Sequence, residues 1–195
     1  MEDIVEVAKA KLIDLLQHAC SGELAAAHAY NGHWKSLRNK TERAEVKQIE
    51  EDELHHRARI IEILDEFGAE PIPKLERKLN RTGKVISTLC RIGGWFIPMY
   101  GAGRMEAPNV GEYETAARLA LESGNEQLIQ TFLTWAEVEW DHEKYFRDKV
   151  NTHFLRHVFP MWKALPARQC IRESFSEYRA EWKTTQPDIQ IFEAV

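Results

Sequence analysis

Residues 53–56 read Glu-Leu-His-His and residues 139–142 read Glu-Trp-Asp-His, so each segment places a glutamate three residues before a histidine. Both segments lie in long stretches whose apolar residues recur at helical spacing. Because positions i and i+3 share one face of an α-helix, each Glu-x-x-His pair can bind the same ion. One pair arises readily by chance, but two pairs on separate helices predict a metal site between helices.

Composition and charge narrow the function classes. The 195 residues suit one domain with a substantial apolar core. A net charge of -5 without a basic block argues against nucleic acid as a partner. Cys20, Cys90 and Cys170 are far apart and form no Cys-x-x-Cys motif, which excludes zinc-ribbon and rubredoxin sites and predicts free thiols. Because the N-terminus has no signal-like apolar segment, we expect a cytoplasmic protein.

Helix breakers and apolar periodicity predict an all-α fold. No proline precedes Pro71, and no stretch shows the alternation typical of strands. The helical stretches are expected at about 4–34, 41–67, 110–122 and 126–150, with a charged linker at 74–84 and an irregular apolar stretch at 85–103.

The connections between these stretches indicate how they are arranged. Ser123-Gly124-Asn125 is a short turn, which predicts that the helices on either side of it are antiparallel neighbours. We therefore expect residues 1–150 to form an antiparallel four-helix bundle. Residues 151–195 are expected to be a C-terminal extension with one amphipathic helix near 168–183.

The second stretch offers two pairs at i, i+3 spacing, and its apolar face chooses between them. Glu53 and His56 share the face that carries Ile60, whereas Asp52 and His55 lie among polar residues. Only a pair that faces the core can form an interior site. The sequence therefore favours Glu53 and His56 as ligands.

The same test places three more residues in the interior. Glu139 and His142 continue the apolar face of the fourth stretch, while Asp141 lies on the polar face. Glu23 falls on the apolar face of the first stretch. We expect all three as metal ligands.

The third stretch leaves its ligand open, because Glu106, Glu112 and Glu114 all lie in the right region. In an antiparallel hairpin that turns near residue 124, both Glu106 and Glu112 come close to the level of Glu139. Glu114 is less favoured because Arg118 shares its face. Geometry alone does not separate Glu106 from Glu112.

The type of ligand indicates the metal. Two divalent ions would neutralise four buried carboxylates, which would otherwise be costly to bury. Carboxylate-rich sites with one imidazole for each ion suit iron or manganese, and no thiolate is present to favour zinc or copper. We therefore expect two Fe ions, with Mn left open.

These residues resemble the ferritin-like di-iron superfamily over about residues 5–150. The separations between Glu23 and Glu53 and between Glu106 and Glu139 are similar to those in that family. The resemblance implies a ferritin-like bundle and favours Glu106 over Glu112 as the ligand from the third stretch.

Two members of the superfamily look most similar. The glycine-rich apolar run and glutamate within 93–113 resemble the third-helix region of demethoxyubiquinone hydroxylases, with Glu112-Tyr113 in the place of a His-Tyr pair. Rubrerythrins are the other similar group, although this chain lacks their cysteine-rich module. Tyr30 and Tyr113 are expected to lie next to the metal ligands.

Three functions follow as expectations. The first is a non-haem di-iron oxidoreductase, an oxygenase or monooxygenase, that activates O2 to hydroxylate or oxidise a small or apolar organic substrate. In it the di-iron centre itself would be catalytic, without a separate protein acid or base. The alternative is a rubrerythrin-like peroxidase or ferroxidase, and the third reading is a non-catalytic helical bundle.

The expected partners are an apolar or small-molecule substrate, O2 or H2O2, and an external electron donor. The uncharged run 92–103 is too short to span a bilayer. This run is compatible with peripheral membrane contact and equally with a buried helix. A homodimer is also left open.

Overall fold

The computed structural model describes residues 2–185, and the elements in that range are helical, with no strand. The predicted all-α class is therefore confirmed. Met1 and residues 186–195, which the predicted bundle and extension include, lie outside the described residues. Within the described residues, the helices are α1 (Glu2–Ser36), α2 (Lys40–Glu66), α3 (Pro73–Ile92), α4 (Phe96–Glu122), α5 (Ile129–Asn151) and α6 (Cys170–Thr185), with short 3-10 turns at Glu126–Leu128 and Phe154–His157.

The α1–α2 connection has local causes that the sequence shows. Asn39 caps α2, since its side chain accepts the backbone N–H of Thr41 at 2.9 Å and that of Glu42 at 3.2 Å. At the other end of α2, Gly68 has a φ of 69°, a left-handed conformation that favours glycine and ends the helix. The expected start and end of this helix are confirmed.

The predicted linker at 74–84 is wrong, because these residues form most of α3. The linker was predicted because six of these eleven residues are charged, and the helix buries only Gly83 and Cys90. Small residues fix α3 against α1 instead: a Cβ on Gly83 would lie 2.6 Å from the carbonyl oxygen of Ala25. Arg57 of α2 also donates to both carboxylate oxygens of Glu76, at 2.6 and 2.8 Å.

The region expected to be irregular, 85–103, is also more regular than predicted. It comprises the end of α3, a bend at 93–95, and the first two turns of α4. Pro98 lies in the first turn of α4, where a backbone N–H has no helical partner to lose. The helix continues through Pro108, and its buried residues pack extensively against α5 and α1.

The extension joins the same core as the bundle helices. α6 lies close to the helix expected at 168–183 and contacts α4 and α5. Its Ile171 and Phe175 are buried in a cluster that also contains residues of α1, α4 and α5. The division of the chain at residue 150 stays a prediction.

Two apolar clusters fill the interior, and α1, α2, α4 and α5 each contribute to both. On α2, Ile49 belongs to one cluster and Ile60 to the other. Glu53 and His56 lie between them along the helix and are themselves buried. On α1, α4 and α5, too, the candidate ligands lie between residues of one cluster and residues of the other. The polar residues of the candidate site therefore lie between two apolar clusters.

Candidate metal centre

The six residues favoured by the sequence are all buried. None is more than 5% exposed, and Glu53 and Glu139 have no exposure. They come from four helices: one glutamate each from α1 and α4, and a Glu-x-x-His pair each from α2 and α5. The six are Glu23, Glu53, His56, Glu106, Glu139 and His142.

These residues form two overlapping groups whose ligand atoms lie within 4.8 Å of one another. Each group has one glutamate and one histidine of its own: Glu23 and His56 in the first, Glu106 and His142 in the second. Glu53 and Glu139 belong to both. A carboxylate has two oxygens, so these shared glutamates could bridge two ions, each of which would also have a histidine.

Several ligand atoms in the cluster have no hydrogen-bond partner. They are Glu23 Oε2, both carboxylate oxygens of Glu53, Glu139 Oε1, and the Nδ1 atoms of His56 and His142. Buried polar atoms without a partner are costly, and a bound cation would satisfy these. The residues present therefore fit a metal ion.

The two histidines turn the same ring nitrogen toward the carboxylates. His56 Nδ1 lies 3.1 Å from Glu139 Oε1 and 3.7 Å from Glu23 Oε1. His142 Nδ1 lies 3.6 Å from Glu53 Oε1 and 3.8 Å from Glu139 Oε2. Nδ1 is thus the candidate ligand atom in both halves of the centre.

Burial and mutual charge perturb every part of the centre without metal. Burial, with the charges of Glu23 and Glu139, raises the pKa of Glu53 well above its usual value. Burial and the charge of Glu139 likewise raise the pKa of Glu106. Burial would also raise the pKa of Glu139, but the nearby imidazoles of His142 and His56 hold it well below its usual range.

Burial lowers the pKa of a histidine, whereas it raises the pKa of a carboxylate. Burial lowers the pKa of His56, but the nearby carboxylates of Glu139 and Glu23 outweigh this effect and raise the pKa to about 9. Burial also lowers the pKa of His142, but the hydrogen bond with Asp52 and the nearby carboxylate of Glu139 raise it to about 9. Without metal, protons supply the positive charge that the buried carboxylates require.

Three further side chains orient the candidate ligands. Tyr30 and Tyr113, expected beside the ligands, donate hydrogen bonds to Glu106 and Glu23 respectively. Asn109 Nδ2 donates to Glu106 Oε2 at 3.1 Å and to Glu139 Oε2 at 3.2 Å. The sequence reasoning missed Asn109, which lies one helical turn beyond Glu106 and after a proline.

Asp52 was also missed, because it was assigned to the polar face of α2. Its Oδ2 lies 3.2 Å from His142 Nε2, the ring nitrogen that does not face the carboxylates. A carboxylate on that nitrogen fixes the orientation of the ring. The sequence offers one indication of this role: the residue before Glu53 is an acid, Asp52, whereas the residue before Glu139 is the apolar Val138.

The structure does not bring Glu112 into either group. Glu112 is partly buried and, with Glu23, Tyr113 and Asn109, lines a small pocket of about 30 Å³. Burial, followed by the charge of Glu23, raises its pKa to about 7. Glu114 lies elsewhere and accepts a hydrogen bond from Ser174 of α6 at 3.1 Å.

An apolar cavity of about 330 Å³ lies on the Glu106 side of the centre, between α1, α3 and α4. Glu106, Tyr30 and Asn109 form part of its wall, so the cavity reaches the candidate ligands. Ala26 and Ala102 leave room in this wall. Gly103 of α4 does not line the cavity, and its missing side chain allows the ring of Trp162 to pack against the helix.

The cavity reaches the surface between α3 and α4. Leu89, Ile97 and Met105 line it, yet each is at least 50% exposed. Val85 and Ile92 are exposed on the same face of α3 as Leu89. We call these five residues the apolar rim.

Comparisons of this chain with protein-family models, with curated proteins and with solved structures give no match.

Proposed function

We propose that the chain binds two iron ions at the six-residue centre and oxidises or hydroxylates a small apolar molecule with O2. The observation that carries the proposal is the pair of overlapping Glu/His groups, with two shared glutamates, beside an apolar cavity. A cavity of this size suits an organic molecule, whereas a ferroxidase or a peroxidase would need no apolar chamber.

The donor set supports iron. Each group offers three carboxylates and one imidazole nitrogen, and two of the carboxylates are shared. Oxygen-rich sites with one histidine suit iron or manganese. Two ions with a total charge of +4 would neutralise four glutamates at -4. The contribution of four helices to one centre supports a ferritin-like arrangement of α1, α2, α4 and α5.

The redox balance of the proposed reaction needs no other group for one turnover. When bound, two ferrous ions supply two of the four electrons that reduce O2, and the substrate C–H bond supplies the other two. One oxygen atom enters the substrate, and the other leaves as water after uptake of two protons. An external donor must then restore the ferrous state. Tyr30, Tyr113 and Asn109 hold the carboxylates in place, and the cavity walls exclude water from the substrate.

The apolar rim supports membrane contact as the source of an apolar substrate. Among the described residues no helix is long and apolar enough to cross a bilayer. However, α3 carries six Lys or Arg residues and one acid, Glu76, which is paired with Arg57. A basic helix with an exposed apolar face is typical of a helix that lies on an anionic bilayer surface. The rim would then place the cavity entrance against the lipid.

A single-turnover assay tests the proposed reaction. Protein loaded anaerobically with two equivalents of Fe(II) is mixed with O2 or with H2O2 in the presence of ethylbenzene, and oxidised product is measured. We expect product with O2 from the wild type. Ala102→Phe, which fills the cavity, should retain iron but lose product, while Thr115→Phe at an exposed site of α4 should behave as wild type.

The outcomes separate the proposed function from its alternatives. Rapid oxidation of the iron by H2O2, with slow oxidation by O2 and no organic product, would favour the rubrerythrin-like peroxidase. Iron oxidation by O2 that is indifferent to Ala102→Phe, again without product, would favour a ferroxidase. A chain that binds no iron would be the non-catalytic bundle.

A further inference from the structure

His33 is a polar residue in the cavity wall that the proposed metal centre does not use. It lies on α1, one helical turn after Tyr30, and is 1% exposed. Its ring stacks on Tyr30 at a centroid distance of 6.4 Å and on Phe146 at 5.9 Å. The two aromatic rings hold the imidazole in a fixed orientation.

The hydrogen bonds of the cavity wall leave one ring nitrogen of His33 without a partner. Tyr30 donates to Glu106, and Asn109 donates to Glu106 and Glu139. His33 Nε2 is buried, yet it makes no hydrogen bond. Leaving a buried polar nitrogen unpaired costs free energy, and a ligand in the cavity could provide the missing hydrogen bond.

The charge state of His33 restricts what this ligand can be. Burial lowers the pKa of His33 to about 4, so the ring is neutral near pH 7. A neutral imidazole cannot offset the burial of a carboxylate or phosphate, and Glu106 in the same wall would repel an anion. A hydroxyl group both donates and accepts, so it can pair with Nε2 in either tautomer of the ring.

We propose that the cavity binds an uncharged, largely apolar molecule that carries a hydroxyl group, and that this hydroxyl forms a hydrogen bond with His33 Nε2. This inference deepens the proposed function, because it names the substrate class of the same centre. Since Tyr30 lies one turn away and bonds to Glu106, a molecule anchored at His33 would extend its apolar body along the wall toward the candidate ligands.

The test uses metal-free, full-length protein and two probes of similar shape, 2-naphthol and naphthalene. Binding is measured by fluorescence titration for wild type, His33→Phe and His18→Phe, the last being a control at an exposed histidine of the same helix. His33→Phe retains an aromatic ring but removes the nitrogen. We expect it to weaken 2-naphthol binding about three- to tenfold and to leave naphthalene binding unchanged or tighter.

A wild-type measurement keeps the test decisive if the variant folds poorly. In protein with ¹⁵N-labelled histidine, 2-naphthol should shift the Nε2 resonance of one buried, neutral ring, while naphthalene should shift it much less. Equal effects of both probes on this resonance, or equal affinities for His33→Phe and wild type, would overturn the inference. Failure of both probes to bind would do the same.

The outcome is distinguishable from that of the proposed function, because neither probe experiment requires metal. Hydroxyl-dependent binding in a chain that takes up no iron would support the His33 subsite and reject the di-iron oxidoreductase. Stoichiometric iron without hydroxyl-dependent binding would reject the subsite alone.

Discussion

Glu53 and Glu139 are fully buried, and each is shared by the two halves of the candidate centre. Without metal, protons compensate the buried charge, as the raised pKa values of Glu53, His56 and His142 indicate. A metal ion and these protons therefore compete for the same atoms. This competition makes metal affinity depend on pH.

We expect the affinity for Mn(II), a redox-stable probe, to rise by at least about tenfold for each pH unit between pH 6 and 8. The reason is that each histidine, with a pKa of about 9, must lose a proton before Nδ1 can bind a metal. Titration followed by the EPR signal of free Mn(II) measures the affinity. A pH-independent affinity in this range would show that the histidines do not bind as assigned.

His33 should make stability depend on pH in a separate way. Its pKa is lowered to about 4, so between about pH 6.5 and pH 4 the unfolded chain binds a proton that the folded chain does not. The free energy of unfolding should therefore fall by up to roughly 3 kcal/mol as the pH drops through this range. The full stability is present above about pH 6.5.

Urea unfolding at several pH values checks this expectation. His33→Phe should remove that part of the pH dependence, and His18→Phe, at an exposed site, should retain it. Parallel curves for wild type and His33→Phe would contradict the assignment of a buried neutral histidine.

At the scale of elements, α3 is the helix whose packing differs most from that of the others. It packs on α1 through a close backbone approach at Gly83, and the Arg57–Glu76 ion pair links it to α2. Its Val85, Leu89 and Ile92 are exposed and belong to the apolar rim.

The packing at Gly83 predicts a specific loss of stability. Gly83→Ala should lower the free energy of unfolding by about 1–3 kcal/mol, because its Cβ would lie 2.6 Å from the carbonyl oxygen of Ala25. Gly111→Ala, on α4 with open space around the new Cβ, should instead raise stability by up to about 1 kcal/mol. Thermal unfolding of both variants provides the comparison, and an equal response would refute the close α1–α3 contact.

The exposed face of α3 predicts binding to lipid. The wild type should co-sediment with vesicles of phosphatidylcholine containing a quarter phosphatidylglycerol, and binding should weaken with added salt. Leu89→Gln with Ile92→Gln should reduce binding at least tenfold. Leu54→Gln with Ile61→Gln, at exposed apolar sites of α2, should leave it unchanged. Equal losses for the two pairs, or no vesicle binding, would reject this surface.

At the scale of the whole molecule, sequence patterns predicted the helices that carry Glu23, Glu53, His56, Glu139 and His142, but they predicted only the second half of α4, the part after Glu106. They succeeded because ligands on a helix must lie on its buried face, and the apolar neighbours of Glu53 and Glu139 reveal that face. Glu106 was chosen over Glu112 by resemblance alone, since hairpin geometry left both open. The structure includes Glu106 and not Glu112 in the cluster.

Other features have no periodic signal. The contacts of α3 with α1 are made by glycine and serine, which apolar periodicity does not detect, and the charged residues of its first half favoured a linker. Asp52 and Asn109 act through contacts between helices, which spacing along one helix does not contain. The cavity likewise depends on how three helices meet.

The central claim concerns two ions held by six residues, and anaerobic Fe(II) binding with metal analysis after desalting tests it most directly. We predict two irons per chain for wild type and for Glu112→Gln, whose carboxylate lies outside the cluster. Asp52→Asn should retain both irons with about 10- to 100-fold lower affinity, because Asp52 orients His142 and is not itself a ligand. Glu139→Gln, which alters a shared glutamate, should lose both. A wild type without stoichiometric iron, or a Glu139→Gln variant that keeps two irons, would contradict the account.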